Sequence, residues 1–132
     1  MPARRTRCAL ALAAATGVGP ALAQASEVQR GLASFYHPTF FTGRPMANGA
    51  PFDPESDAAA SRTLPFGTVV EVTNLRNGMM RRVVIQDRGP FVEGRIIDLS
   101  PRTADELGMR HDGVVPVEVR PVGKLPNRGR GG

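Results

Sequence analysis

The sequence predicts an all-β domain: a small closed barrel of short strands with one or two short helices. Gly and Pro, 15 and 12 of 132 residues, cut the chain into short pieces and exclude a coiled coil or a helical bundle. At 41%, hydrophobic residues are too abundant for a disordered chain. Several β-branched runs alternate apolar and polar side chains, the period of strands with one buried face. Closing such strands into a barrel hides edges that would otherwise pair with other chains.

The chain opens with Arg4, Arg5 and Arg7, then an apolar stretch from Cys8 to Val18, then Ala21-Leu22-Ala23. This is the layout of a secretory signal peptide over residues 1–23, with cleavage after Ala23 or Ala25. The apolar run is interrupted by Gly17, Gly19 and Pro20 and is short for a bilayer span, so no stable membrane anchor is expected. Cys8 stands at the start of that run, where a lipidated cysteine would follow it, so the chain does not read as a lipoprotein. It is also the only cysteine, and its removal leaves no thiol for a disulfide or a metal.

After a short lead, 24–29, one domain is expected over 30–122, followed by a disordered basic, Gly-rich tail over 123–132. Gly31 to Tyr36 reads as a first strand. Gly67 to Thr73 sets Val70 and Val72 against Val69 and Glu71, and Met80 to Gln86 is similarly β-branched; Asn77-Gly78 between them predicts a tight antiparallel hairpin. Arg95 to Leu99 and Val114 to Arg120 read as further strands, with Val115, Val117 and Val119 on one face. One helix is signalled by Ser100 as cap, Pro101 at the first position and Gly108 as terminator.

Charge removes one class of function. Without Arg4, Arg5 and Arg7 the net charge falls from +5 to +2, and much of the remaining excess lies in the tail. The domain itself carries no basic surplus to attract nucleic acid.

Five of the seven aromatic residues, Phe35, Tyr36, Phe40, Phe41 and Phe52, fall within 18 positions. Most are expected in the core, whereas Phe40 and Phe41 lie in a Gly/Pro-rich loop where exposed rings suit the apolar face of a sugar. His37 and His111 read as surface residues. Asp87 follows the apolar Val83-Val84-Ile85 and precedes Arg88-Gly89-Pro90-Phe91, a turn expected to present it at the barrel mouth. There it is either a partly desolvated general acid, or an ionised carboxylate that accepts from turn amides or pairs with Arg88. Asp98 either lines the same cleft or anchors the Ser100-Pro101 turn. Asp53 lies in a loop, where an Asx turn is its ordinary role.

Gly31-Leu-Ala-Ser-Phe-Tyr36, Gly43-Arg44, Ala47-Asn-Gly49, Phe52-Asp53, Thr63-Leu-Pro-Phe-Gly-Thr68, Asn77-Gly78, Asp87-Arg-Gly-Pro-Phe91, Gly94-Arg95 and Ile97-Asp-Leu-Ser100 together resemble the rare lipoprotein A family. The resemblance runs from Gly31 to about Val119. It implies a six-stranded double-psi β-barrel and a septal-ring lytic transglycosylase that cleaves peptidoglycan between N-acetylmuramic acid and N-acetylglucosamine, leaving 1,6-anhydro ends. No metal or organic cofactor is implied; the partner is denuded glycan, and a monomer is expected.

By the same resemblance, Asp87 and Asp53 are the catalytic candidates, with Asp87 as a single acid/base. Tyr36, Phe40, Phe41, Arg44, Asn48, Arg88 and Asp98 are the substrate-binding candidates. Ala50 and Ser61 stand where the family usually has Glu and His, which predicts reduced activity unless Glu55 or Asp57 fills the gap. Many family members are lipoproteins with a C-terminal peptidoglycan-binding domain; this chain reads instead as a free periplasmic or secreted barrel. A non-catalytic, expansin-like glycan-binding module is the alternative.

Overall fold

A computed structural model describes residues 27–125. The predicted signal peptide, Cys8 and the last seven residues of the tail lie outside the described residues. Six strands close into a barrel: β1 (Gln29–Phe35), β2 (Ala58–Ala60), β3 (Thr68–Asn74), β4 (Met80–Asp87), β5 (Arg95–Leu99) and β6 (Val115–Lys124). Two short helices, α1 (Pro38–Phe41) and α2 (Pro101–Glu106), lie between β1 and β2 and between β5 and β6. Around the barrel the order is β1-β5-β2-β4-β3-β6. The pairs β1/β5 and β2/β4 are parallel and the other four are antiparallel, so the expected six-stranded barrel is present.

The inward residues follow the period of two. Val70 and Val72 of β3, Val83 and Ile85 of β4, Ile97 and Leu99 of β5, and Val115, Val117 and Val119 of β6 are all buried in one core. Leu107 and Met109, just after α2, close one side of it. That helix is built as its sequence signals predict: Ser100 Oγ accepts from the Thr103 amide, Pro101 takes the first position, and Gly108 follows with a positive φ of 68°.

Three elements differ from the sequence reading. The β3/β4 hairpin closes through a wider loop than the Asn-Gly pair implies, and Gly78 alone has positive φ there. Asn74 and Asn77 explain the loop: their side-chain oxygens accept from the amides of Arg76 and Met79, while both Nδ2 groups donate to the Leu107 carbonyl. The loop is therefore tied to the end of α2 and cannot take the isolated two-residue form.

The strand β2 has no sequence signal, because alanine has weak β propensity. Its three alanines form a strand because they are wedged between β4 and β5, where small side chains let the neighbouring walls approach. At the other end, β6 runs on to Lys124, which lies opposite Thr68 in the register, so the ordered backbone passes the expected boundary at residue 122.

A second apolar cluster sits outside the main core. Tyr36, Met46 and Phe52, from the segment between β1 and β2, cover Ala58 and Ala60. This segment therefore wraps the outer face of the barrel and builds the wall of the site.

Candidate active site

The site follows from strand alternation. Ala33, Ile97, Leu99 and Ala59 point into the core, so Ser34, Asp98 and Ala60 point outward. The register sets Ser34 beside Asp98, Asp98 beside Ala60, and Ala60 beside Asp87, in a row across β1, β5, β2 and β4. A shift of register between Ala59 and Ala60 brings Asp87 into this row. Two strand spacings separate the two acids, about 10 Å between their Cα atoms. The carboxyls thus stand on the outer wall of the barrel rather than at its mouth, with only a methyl group between their strands.

Ser34, Tyr36, Phe41, Asp87, Arg88, Phe91, Arg95 and Asp98 are among the residues lining a groove of about 390 Å³ at this place. Its size falls in the usual range for a small-molecule or saccharide site. Gly89-Pro90, joined by a cis peptide bond, carries the chain from Asp87 to Phe91 on the rim.

Asp87 is held from three sides. The Tyr36 hydroxyl donates to its Oδ2 at 2.6 Å, and the amides of Ala47 and Arg88 donate to its Oδ1 at 2.7 and 2.9 Å. Burial is the main force raising the Tyr36 pKa, reinforced by its bond to Asp87 and by the negative charge of both acids. The phenol therefore keeps its proton and remains a donor. Its ring stacks on Phe52 at 4.2 Å and meets Phe41 edge-on at 5.4 Å, which fixes the hydroxyl.

Asp98 is placed differently. Its Oδ1 accepts from the Ser34 hydroxyl, while Oδ2 has no hydrogen-bond partner among the described residues. Burial pushes its carboxyl above the ordinary aspartate range and Asp87 adds to the rise, against the opposing effects of Ser34 and Arg95. The Ser100-Pro101 turn does not use Asp98. Ser100 anchors it, its hydroxyl donating to the Ser56 carbonyl and accepting from Thr103 N.

The remaining candidates separate into those inside the groove and those outside it. Tyr36, Phe41 and Arg88 line it, but the Arg88 guanidinium turns away from the Asp87 carboxylate. It donates to the carbonyls of Ser61 and Leu64 and lies 4.0 Å from the centre of the Phe66 ring. Asp53 is not in the groove: it is exposed and its Oδ1 accepts from the Glu55 amide, an Asx turn. Phe40 packs against His37, away from the groove lining.

Arg44 is exposed beyond the groove lining. Asn48 is also outside it, where its side chain accepts from Ala50 N and donates to Gln86 Oε1. Glu55 and Asp57 do not enter the groove either. His111 is exposed, and exposed His37 caps α1 through Nδ1.

Ala50 and Ser61, where the resemblance implies Glu and His, each have a local role. Ser61 is buried, and its hydroxyl accepts from the amides of Thr63 and Leu64, shaping the turn after β2. Ala50 is half-buried against the second apolar cluster. The sequence reading missed Ser34, Phe91 and Arg95. Strand alternation would have found Ser34, since Ala33 is an obvious core residue; Phe91, 78% exposed, is an aromatic stranded after a Gly-Pro turn.

The chain as a whole is similar to known proteins. A family model described as lytic transglycolase matches residues 28–119. The chain belongs to the lytic transglycolase family. A "Probable endolytic peptidoglycan transglycosylase RlpA" of Nostoc sp. is 53% identical over 96 residues, which are 72% of this chain and 26% of that protein. The "Endolytic peptidoglycan transglycosylase RlpA" of Campylobacter jejuni is 39% identical over 104 residues, 79% of this chain and 38% of that protein.

The chain thus spans between about a quarter and two fifths of these relatives. Among solved structures, Streptomyces papain inhibitor matches with a TM-score of 0.58 at 25% identity, over 71% of this chain and 93% of that one. An expansin of Clavibacter michiganensis matches with a TM-score of 0.57 at 23% identity, over 76% and 53%. These likenesses agree with the double-psi β-barrel expected of the family.

Proposed function

We propose that this member of the lytic transglycolase family cleaves the glycan strands of peptidoglycan by intramolecular transglycosylation, outside the cytoplasm. One observation carries the reading: two carboxyl groups share one groove in opposite environments. Two carboxyls in unlike surroundings can serve as the acid and the base of one site. The sequence reading gave both roles to Asp87; the geometry favours dividing them.

In its protonated form, which burial favours, Asp98 gives the proton of its unpartnered Oδ2 to the glycosidic oxygen. The bond from that oxygen to the anomeric carbon of N-acetylmuramic acid breaks, and the N-acetylglucosamine hydroxyl leaves. The muramyl 6-hydroxyl attacks the same carbon, closing the 1,6-anhydro ring, and its proton passes to Asp87. Asp87 then releases that proton to solvent in the groove, and solvent returns one to Asp98. The donors around Asp87 hold that carboxylate still while the positive charge develops, so little reorganisation is needed. Phe41 and Phe91 on the rim give the sugars apolar surfaces to lie against.

The named activity of the RlpA relatives supports this reading. The other reading, a non-catalytic glycan-binding module, draws on Ala50 and Ser61 in place of Glu and His. An expansin of this fold has been solved in complex with cellohexaose, with a TM-score of 0.56 at 22% identity. One experiment separates them: mature protein is incubated with denuded glycan strands and the products are weighed by mass spectrometry. Anhydro-ended fragments from the wild type, and none from Asp87→Asn or Asp98→Asn, are expected. Binding without any such fragment makes the protein a glycan-binding module.

A further inference from the structure

A second depression, about 490 Å³, adjoins the groove and shares Ser34, Phe35 and Arg95 with it. The two halves have opposite chemistry. Both acids lie in the first; the second is lined by Arg95, Arg110 and His37 and includes no carboxylate. Arg110 lies over the Phe35 ring and is partly engaged by Asp105 at 3.3 Å.

Arg95 makes no direct pair, although its charge acts on Asp98 in the same groove. Its backbone is fully used, the amide donating to Val92 and the carbonyl accepting from Arg62, but its guanidinium has no hydrogen bond or ion pair among the described residues. The other two arginines in this condition, Arg44 and Arg76, are exposed, whereas Arg95 is half-buried between the two depressions. A partly desolvated cation with five free donors, at the junction of a saccharide groove and a basic hollow, fits a planar anion on the bound sugar.

We propose that Arg95 binds the free lactyl carboxylate of a muramic acid residue lying across the two depressions, with Arg110 beside it, and so sets substrate specificity. The inference rests on the glycan reading above and names the part of the strand that is read. When that carboxyl is converted to an amide, both the charge and one acceptor oxygen are lost, and Arg95 is left without its counter-ion.

The test uses equilibrium binding, so that it does not depend on turnover. Glycan oligosaccharides with free lactyl carboxylates, and the same oligosaccharides converted to methylamides, are titrated into the Asp87→Asn protein by calorimetry. Binding of the free acid about tenfold tighter is expected, the scale of one charge-assisted hydrogen bond. That preference weakens as salt is added. Adding Arg95→Gln abolishes the preference, and Arg95→Lys restores part of it.

Equal affinity for the two ligands before Arg95 is changed, a preference that survives Arg95→Gln, or no binding of either overturns the proposal. Absence of anhydro products alongside an Arg95-dependent preference instead overturns the transglycosylase reading and leaves this one standing.

Discussion

Asp87 and Asp98 stand on opposite sides of Ala60, each its register partner, one through the parallel β2/β4 pair and the other through the antiparallel β2/β5 pair. The mixed topology places the end of one strand and the middle of another in the same row. Sequence distance and spatial distance are therefore unrelated in this site. The same row gives the two acids unlike surroundings, three donors at Asp87 and one at Asp98.

Stability records the state of Asp98. Its folded pKa lies above the unfolded value, so its contribution is fully present below the unfolded pKa and is lost as pH rises through the folded one. Above that point the wild type carries a buried carboxylate. Asp98→Asn, isosteric and still able to accept from Ser34, is expected to have the higher Tm at a pH above the folded pKa of Asp98 and to lose that advantage at a pH below the unfolded one. Thermal melts of both proteins at the two pH values check this.

Tyr36→Phe removes one donor from Asp87 while keeping the ring stack on Phe52. A fall in kcat on the order of tenfold is expected, with KM nearly constant, because the lost bond holds a reacting group rather than the sugar. Steady-state kinetics on denuded strands measure the split. An unchanged kcat would remove Tyr36 from the positioning of Asp87.

Arg88 is expected to act on the fold and not on the ligand. Its guanidinium satisfies two main-chain carbonyls and covers Phe66. Arg88→Ala therefore costs about 2–3 kcal/mol of unfolding free energy, from two carbonyls left without that donor and a lost cation–π contact. Urea denaturation gives the value. Glycan affinity, measured below the unfolding transition, stays within about twofold.

Restoring the family's usual histidine is also expected to be costly. Ser61→His places a larger ring at a buried turn and removes the acceptor of the Thr63 and Leu64 amides, destabilising the domain by roughly 2–4 kcal/mol. Ala50→Glu, at a half-buried position facing the loop segment, is expected to be tolerated. Denaturant curves of the two single variants test the contrast.

Local physics made much of this fold legible. The valines of β3 and β6, the apolar end of β4, and the Ser-Pro start of α2 each carry their own signal, and each forms as that signal implies. Ala58-Ala59-Ala60 carries none, because its strand exists only through its neighbours. The site was legible to the same degree. Asp87 stands out as an acid ending an apolar strand, but its Tyr36 partner lies 51 residues away. The role of Asp98 depends on Ser34 across a barrel seam, 64 residues off. Asp53 and Arg44 have the residue types a sugar cleft uses, yet the loop that carries them covers the outer wall without turning those side chains into the groove. Partnering across a closed barrel is set by register, which no single segment encodes.

The division of labour between the acids is tested most directly by changing the leaving group. Protonation matters for a sugar alcohol and hardly at all for a 4-nitrophenolate, so a muramyl 4-nitrophenyl glycoside needs no proton donor. On that substrate Asp98→Asn is predicted to recover most of the wild-type rate, while Asp87→Asn remains impaired. Recovery by Asp87→Asn instead, or no recovery by Asp98→Asn, would contradict the assignment of Asp98 as the proton donor.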